Sequence, residues 1–592
     1  MIHKTYDRYI FLFLVIALIF ASFGISADLA DSRVSTEKEQ IAFALKFGSG
    51  DLNPHHFLHP AFLSYVLFGF YGAFFTIGKL LGTFPSVTAF ERLYFSDPSI
   101  FFLIARIFVL VLLLVAIFVT YKIAHKTFNR RTALIASCFM VFSPVVIKWS
   151  HYASADIPLM CISLLTFIFC LRIFQKGLVR DYCICGLLIG LSVATKYNGA
   201  PLIAPFLVAH FCCSANERWP QRIFSPKLIK GVCFIVFGFF IGAPFSFLDY
   251  QTFLSELSRG WARSTSGEYN FSTWQTDKPG WIYILTNTIP FGLTIPIAIV
   301  TLLGLGHACW RREQVDYLFL SFIALAYLMA GNSIFLKPRH FLLIFPFMFI
   351  LGARAITEIA ENISPVKKTQ HLLIAVTSML LVVPAAINII KFDYRIAQPH
   401  VGLEAKEWIE ENIPSNTKIA SFNGLPLKAN RDSLERQLKE IQEKNLGQGI
   451  EIQKHIQHND IFDVTYDLTI LPVPWNETYD REDFDFDNHI REGIKYFIFT
   501  KELEEYLSDS QTYKLQVAYY NAVREHCLLI KEFRKLSVEL EPGHLGDQDY
   551  IQIYKQKDAS PPRLSTTRRD PASPAVNPSS AINHVALVEL IN

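Results

Sequence analysis

The chain has 592 residues, of which 51% are hydrophobic, 14% aromatic and only 18% charged; this lies outside the range of an ordinary soluble enzyme and marks a membrane protein. A net charge of +3 is small for this length, and no Lys/Arg-rich stripe with interleaved aromatic residues occurs, which excludes a nucleic-acid partner. Of the ten cysteines, those from Cys138 to Cys309 lie in or beside apolar runs and read as small buried hydrophobes, leaving only Cys527 in the polar C-terminal third and no disulfide framework to argue from.

The first apolar run, YIFLFLVIALIFASFGISA from Tyr9, has a weakly basic flank and could pass for a signal peptide; the many apolar runs behind it favour an uncleaved signal-anchor. A polar stretch follows, RVSTEKEQIAFALKFGSGDLNPHHFLHP (33–60), and then the chain turns apolar again. A bilayer core needs about 20 apolar residues per helix. Runs near that length lie at 9–27, 62–81, 100–121, 132–149, 157–174, 182–196, 199–213, 229–247, 281–306, 316–332, 340–356 and 371–391.

Basic clusters at 122–131, 172–180, 217–230, 310–314 and 366–368 should lie on the cytoplasmic side, because short cytoplasmic loops carry the Lys/Arg excess. All of them do so if the N-terminus is inside and the run at 62–81 lies at the outer surface without crossing. The expected fold is therefore mainly α: a multi-pass membrane protein of about 11 transmembrane helices over residues 1–391, with its polar loops at 33–60 and 248–280 outside. Beyond 391 the pattern changes. GLEAKEWIEENIPSNTKIASFN reads as helix then strand, IKYFIFTKELEEYL as strand then helix, and DYIQIYKQ as a last strand, giving a small external α/β domain over 392–557. The Pro-, Ser- and Arg-rich segment 558–592 reads as a disordered tail. Triplets of the form N-x-S/T occur at Asn270 and Asn476 and are too common to assign a compartment.

Under this topology one face collects the opening stretch, SHYASADIP (150–158), TKYNGAP (195–201), APFSFLDY (243–250) and FLKPRHFL (335–342). These segments keep ionisable residues at the mouths of spans, since a charge at a helix centre costs roughly 2.5–3.5 kcal/mol. Asp156 begins an apolar helix and reads either as the cap of its first turn, ahead of Pro158, or as a site carboxylate. Lys196 and Arg339 read as interfacial anchors snorkelling to headgroups. Arg106, inside an apolar run, needs a partner or a polar cavity. Asp51, His55, His56, His59, His151 and Tyr197 complete the candidate pocket residues. The histidines at 55, 56 and 59 with Glu37 or Glu39 could hold a divalent metal, yet adjacent histidines point in different directions and the spacing is not diagnostic, so no metal or cofactor is assigned.

The order of these segments carries a resemblance: one membrane helix, an acidic stretch before a short amphipathic helix ending in Gly-Asp, a Pro/His-rich bend, A-x-x-D-x-P-L at the mouth of a span, then G-L-x-x-G-L-x-x-x-T-K-Y-N-G. It resembles the C-type membrane glycosyltransferases that use polyprenyl-phosphate sugars, namely the dolichyl-phosphate-mannose protein mannosyltransferases and the lipid A aminoarabinose transferases, over about residues 9–350. The resemblance implies an inverting transfer of sugar from a polyprenyl-phosphate donor to a protein, lipid or glycan acceptor, on the periplasmic face of a bacterial inner membrane. It places a catalytic carboxylate at Glu37, where the family has Asp, or at Glu39. Lys38 stands where the family has Glu, a departure that inverts a charge. Asp156 matches the family's second acidic position, and Lys196 and Arg339 match basic positions near the lipid phosphate, with Lys337 and Arg106 as further candidates. Two other readings stand beside it: a transporter or flippase, which would place charges at mid-membrane on broken helices and show repeats, and a non-catalytic lipid-binding scaffold, which the Lys38 departure allows.

Overall fold

A computed structural model gives the structure of the protein; it describes residues 8–557 apart from 31, 33, 216, 266–277, 423–424, 444–448, 474–480 and 537–547. The N-x-S/T triplets and the predicted tail lie outside the described residues. In chain order the helices are α1 (Arg8–Ser22), α2 (Ser35–Lys46), α3 (Phe62–Leu80), α4 (Val87–Ser96), α5 (Ser99–Thr127), α6 (Arg130–Val141), α7 (Pro144–Ser150), α8 (Asp156–Lys176), α9 (Val179–Thr195) and α10 (Ile203–Cys213). Then come α11 (Trp219–Ile223), α12 (Pro226–Gly242), α13 (Phe245–Leu248), α14 (Tyr250–Thr265), α15 (Gly280–Tyr283), α16 (Ile289–Leu293), α17 (Ile295–Arg311), α18 (Asp316–Ala330), α19 (Phe345–Ile363), α20 (Lys367–Ile396) and α21 (Val401–Asn412).

Helix lengths account for part of the expected count of spans. Among the described residues five helices are long and apolar enough to cross a membrane: α3, α5, α8, the segment Trp219–Gly242 and the segment Lys367–Asn412; the bent pair α6 and α7 makes a sixth. Eleven spans are not established by these lengths, because α1, Tyr197–Cys213, α17 and α18 are apolar but shorter. The helix α3, expected to lie along the outer surface, is among those long and apolar enough to cross. Two apolar runs expected as single spans are broken. The run 132–149 bends by 58° between α6 and α7, where Pro144 forces Ser143 into an extended conformation (φ −88°, ψ 115°) that no helix continues through. The run 281–306 breaks at Thr294, whose φ of 72° is an outlier for a β-branched residue.

The pairing of α9 with α12 sets the position of the site. A Cβ on Gly186 would stand 2.1 Å from the Gly231 carbonyl oxygen, one on Gly190 2.2 Å from that of Ile235, and one on Gly238 2.3 Å from that of Leu187. The two backbones are therefore in direct contact, as small residues allow between membrane helices. This contact fixes the C-terminal end of α9, where Lys196 follows.

Residues 418–556 build a five-stranded sheet from β1 (Lys418–Phe422), β2 (Asp467–Leu471), β3 (Tyr496–Thr500), β4 (Cys527–Leu536) and β5 (Gln548–Gln556), in the order β2-β1-β3-β5-β4. The pairs β1–β2 and β1–β3 are parallel, and β5 runs antiparallel to both β3 and β4. The predicted α21, β1, β3 and β5 are present; β2 and β4 are additional strands. This sheet region meets the membrane region at α4, where Lys454 lies 3.0 Å from Glu91, Arg92 lies 3.0 Å from Asp460, and the Phe95 ring stacks on His458 at 4.9 Å.

Candidate functional site

The site starts at α2. Successive residues of a helix are about 100° apart, so Glu37 and Glu39 point to opposite sides, and they meet opposite environments. Glu37 is fully buried. Its Oε1 accepts from Arg106 Nε at 2.8 Å and from the Ala153 backbone N–H at 2.8 Å, and its Oε2 accepts from Arg106 Nη2 at 2.8 Å and from the Ser32 hydroxyl. All four lone-pair directions of the carboxylate are filled. The remaining Arg106 nitrogen donates to the carbonyls of Ile25 (3.0 Å) and Ala27 (2.7 Å). This is the partner that an arginine inside apolar α5 requires: a fork-on-fork pair that ties α2 to α5 and to the turn ahead of α8.

Glu39 faces the other way. Its Oε1 lies 3.5 Å from His56 Nε2 and its Oε2 lies 3.9 Å from His59 Nε2, and 12% of its side chain is exposed. The second nitrogen of His56 lies 3.5 Å from Glu256 Oε2. Glu256 is buried, accepts the Phe57 backbone N–H and lies 3.6 Å from Arg259. Burial opposes a charge on His56, but the hydrogen bond to Glu256 and the charges of Glu39 and Glu256 outweigh it and raise its proton affinity above the ordinary histidine value. His59 goes the other way: the protein packed around it and the nearby His56, Lys196, Arg339 and Arg263 push its pKa down to about 3. With 38% of its side chain exposed, water offsets part of that push, and the imidazole is neutral at pH 7.

Asp156 is the partner of Lys196. It is the first residue of α8, and its side chain makes no capping bond; the N-cap is Ala155. Instead it accepts from Lys196 Nζ at 2.6 Å and from the Ser154 hydroxyl at 3.3 Å. The capping reading of Asp156 is thus replaced by an ion pair. Lys196 leaves α9 in an extended conformation (φ −161°, ψ 135°), and the tight turn after it needs Gly199, where a Cβ would stand 2.7 Å from the Ser192 carbonyl carbon. Tyr197 donates to the Phe57 carbonyl at 2.7 Å, joining this turn to the histidine loop. Arg339, in a turn at Pro338–Phe341, lays its guanidinium 4.6 Å from the centre of the Trp149 ring. Lys196, Arg339, Lys337 and His59 all lie close enough to His340 to act on its charge, so these groups gather round one imidazole.

The remaining candidates stand elsewhere. Asp51 and His55 pair with each other at 2.7 Å in an exposed position, and neighbouring Asn53 bonds to Asp249 at 3.1 Å. His151 is fully buried, its two nitrogens 2.8 Å from the carbonyls of Ile147 and Phe23 and its ring 3.8 Å from Asp393, so it braces α7 against α1 and α20. Among the described residues no group of three or more His, Cys, Asp and Glu side chains is arranged to hold a metal ion. Sequence reasoning passed over Glu256, Arg259 and Arg263, which lay in what read only as a polar loop. Their spacing in ELSRGWAR, three and then four residues, puts them on one face of a helix and was the available signal.

Residues 102–241 match the family model of dolichyl-phosphate-mannose-protein mannosyltransferases. The crystal structure of ArnT from Cupriavidus metallidurans bound to undecaprenyl phosphate aligns with a TM-score of 0.50 and 13% identity, covering 92% of this chain and 98% of that one. The chain has the fold of the C-type membrane glycosyltransferases. The oligosaccharyltransferase of Archaeoglobus fulgidus aligns with a TM-score of 0.48 and 11% identity, over 87% of this chain and 72% of that one. A search of curated protein sequences finds no match. The family match runs from α5 to α12 and so contains Arg106, Asp156 and Lys196 but neither Glu39 nor Arg339. On the C-type fold, with its long apolar helices, the protein is an integral membrane protein.

Proposed function

We propose that these residues line a chamber that transfers a sugar from a polyprenyl-phosphate donor to an acceptor hydroxyl on the external, periplasmic face of a bacterial inner membrane. The observation that supports this reading is that Lys196 and Arg339 lie near His59, whose Nε2 is 3.9 Å from Glu39 Oε2, with Lys337 joining the same cations near His340. A donor phosphate tethered by its lipid tail would sit against the cations, which stabilise the charge it gains as the anomeric C–O bond breaks. The acceptor hydroxyl attacks the anomeric carbon from the opposite side, inverting it, and gives its proton to Glu39. His56 lies next along that path, and Glu256 behind it favours a second proton on the ring; both are positioning residues in this scheme. Asp156 holds Lys196 in place and acts through it.

Glu37 is left a structural role, since a carboxylate with four donors has no lone pair to offer a substrate proton. The reading is tested in lipid nanodiscs containing a polyprenyl-phosphate sugar pool extracted from the cells that make the protein. Mass spectrometry follows loss of donor and gain of free polyprenyl phosphate. Glu39→Gln should abolish turnover with the fold intact, and Arg339→Met should weaken donor binding; unchanged turnover in both would remove the assignment.

A further inference from the structure

We infer that α14 lies in the plane of the membrane, its outer face seated in the acyl layer of the leaflet on the chamber's side, so that one wall of the chamber is held by lipid. The helix has two opposed faces. Tyr250, Leu254, Leu257 and Trp261 recur at spacings of four, three and four, within one narrow stripe. Phe247 and Leu248 of α13 extend it, and all six are between 37% and 68% exposed. A soluble surface does not leave such a contiguous apolar stripe uncovered. The opposite face carries Glu256, which is buried against His56, then Arg259, 3.6 Å from Glu256, and Arg263, close enough to act on His59. The polar face of this amphipathic helix therefore points into the protein and the apolar face points out.

The occupant follows from what adjoins the stripe. Segment Trp219–Gly242 is one of the candidate spans, and the outer flank of α12 within it, Val232, Val236, Phe240 and Ile241, is exposed as a lipid-facing surface must be. Phe247 touches the rings of Phe239 and Phe240, each at 5.6 Å between centroids, and Phe239 also meets Phe253 of α14 at 6.3 Å, so the exposed flank of α12 adjoins α13 and α14. A tyrosine opens α14 and a tryptophan stands near its end, the residue types that settle at the headgroup level. Sixteen residues make a helix about 24 Å long lying along the surface. The inference is independent of whether the chamber transfers sugar.

The full chain in nanodiscs of phosphatidylethanolamine and phosphatidylglycerol tests it. The emission lost on Trp261→Phe isolates that indole, and lipids brominated at carbons 6 and 7 should quench it several-fold more than lipids brominated at carbons 11 and 12. A photo-reactive benzoyl-phenylalanine at position 254 should yield a lipid adduct by mass, whereas one at Ser258, on the flank of the stripe, should yield none. An unquenched Trp261, or a position-254 adduct to a second copy or another protein, would overturn the placement.

Discussion

The substitution Glu37→Gln tests the proposal that Glu37 holds the fold while Glu39 handles the substrate proton. The glutamine keeps the shape and an acceptor oxygen, but it removes the negative charge and turns an N–H group toward Arg106. Arg106 is 1% exposed and its ion-pair partner fully buried, so there is no solvent to take up the orphaned charge. Removing one partner of such a buried pair costs about 3–5 kcal/mol. At the lower figure the ratio of folded to unfolded protein falls about 150-fold. The assay is a denaturation series in detergent, followed by the loss of Trp149 and Tyr152 packing in near-ultraviolet dichroism. Glu37→Gln should shift the midpoint strongly, Glu39→Gln should not, and Glu37→Gln with Arg106→Met should recover much of the loss, because no buried charge is then left alone. A Glu37→Gln protein as stable as the parent but unable to turn over donor would refute this reasoning and make Glu37 the base.

Further expectations concern the walls of the chamber. Gly190→Leu should force α9 and α12 apart, since even a Cβ there would stand 2.2 Å from a backbone oxygen; overpacking of this kind costs about 1–3 kcal/mol, and displacement of Lys196 should raise KM for donor more than it lowers kcat. Glu256→Gln should lower the proton affinity of His56, moving the acidic limb of the pH profile of kcat to lower pH with KM unchanged; a KM effect alone would assign Glu256 to loop stability. His56, whose pKa is raised on folding, contributes stability that is fully present below its unfolded value of 6.5 and is lost as the pH rises through its folded value; the difference in unfolding midpoint between parent and His56→Gln should shrink accordingly from pH 6 to 9. His59 has the opposite sign: its pKa is lowered to about 3, so it contributes a loss of stability as the pH falls from 6.5 toward 3, and His59→Gln should flatten that part of the acid limb.

Much of this architecture was legible in residue order. Apolar length announced the membrane helices, the change of pattern after residue 391 announced the small sheet, and the spacing of T-K-Y-N-G and K-P-R-H marked Lys196 and Arg339 as cations at the mouths of helices. Periodicity also showed strands β1, β3 and β5, whose residues alternate or are uniformly apolar. It did not show where apolar runs break, because a kink at Ser143 or Thr294 is set by local backbone geometry that hydrophobic counting does not register.

What the sequence by itself determined is the inventory: a membrane chain, with carboxylates at 37, 39 and 156 and cations at 106, 196 and 339 near the ends of its helices. Only the tertiary structure decided how these are divided. Residues 37 and 39 are two positions apart, so on a helix they must face different neighbours, and nothing in one dimension says which neighbour is an arginine 69 residues away. Asp156 could cap its helix until folding brought Lys196 within 2.6 Å. Glu256 meant nothing until α14 laid it against His56, because long-range charge pairing depends on distance in space, which the order of residues does not contain.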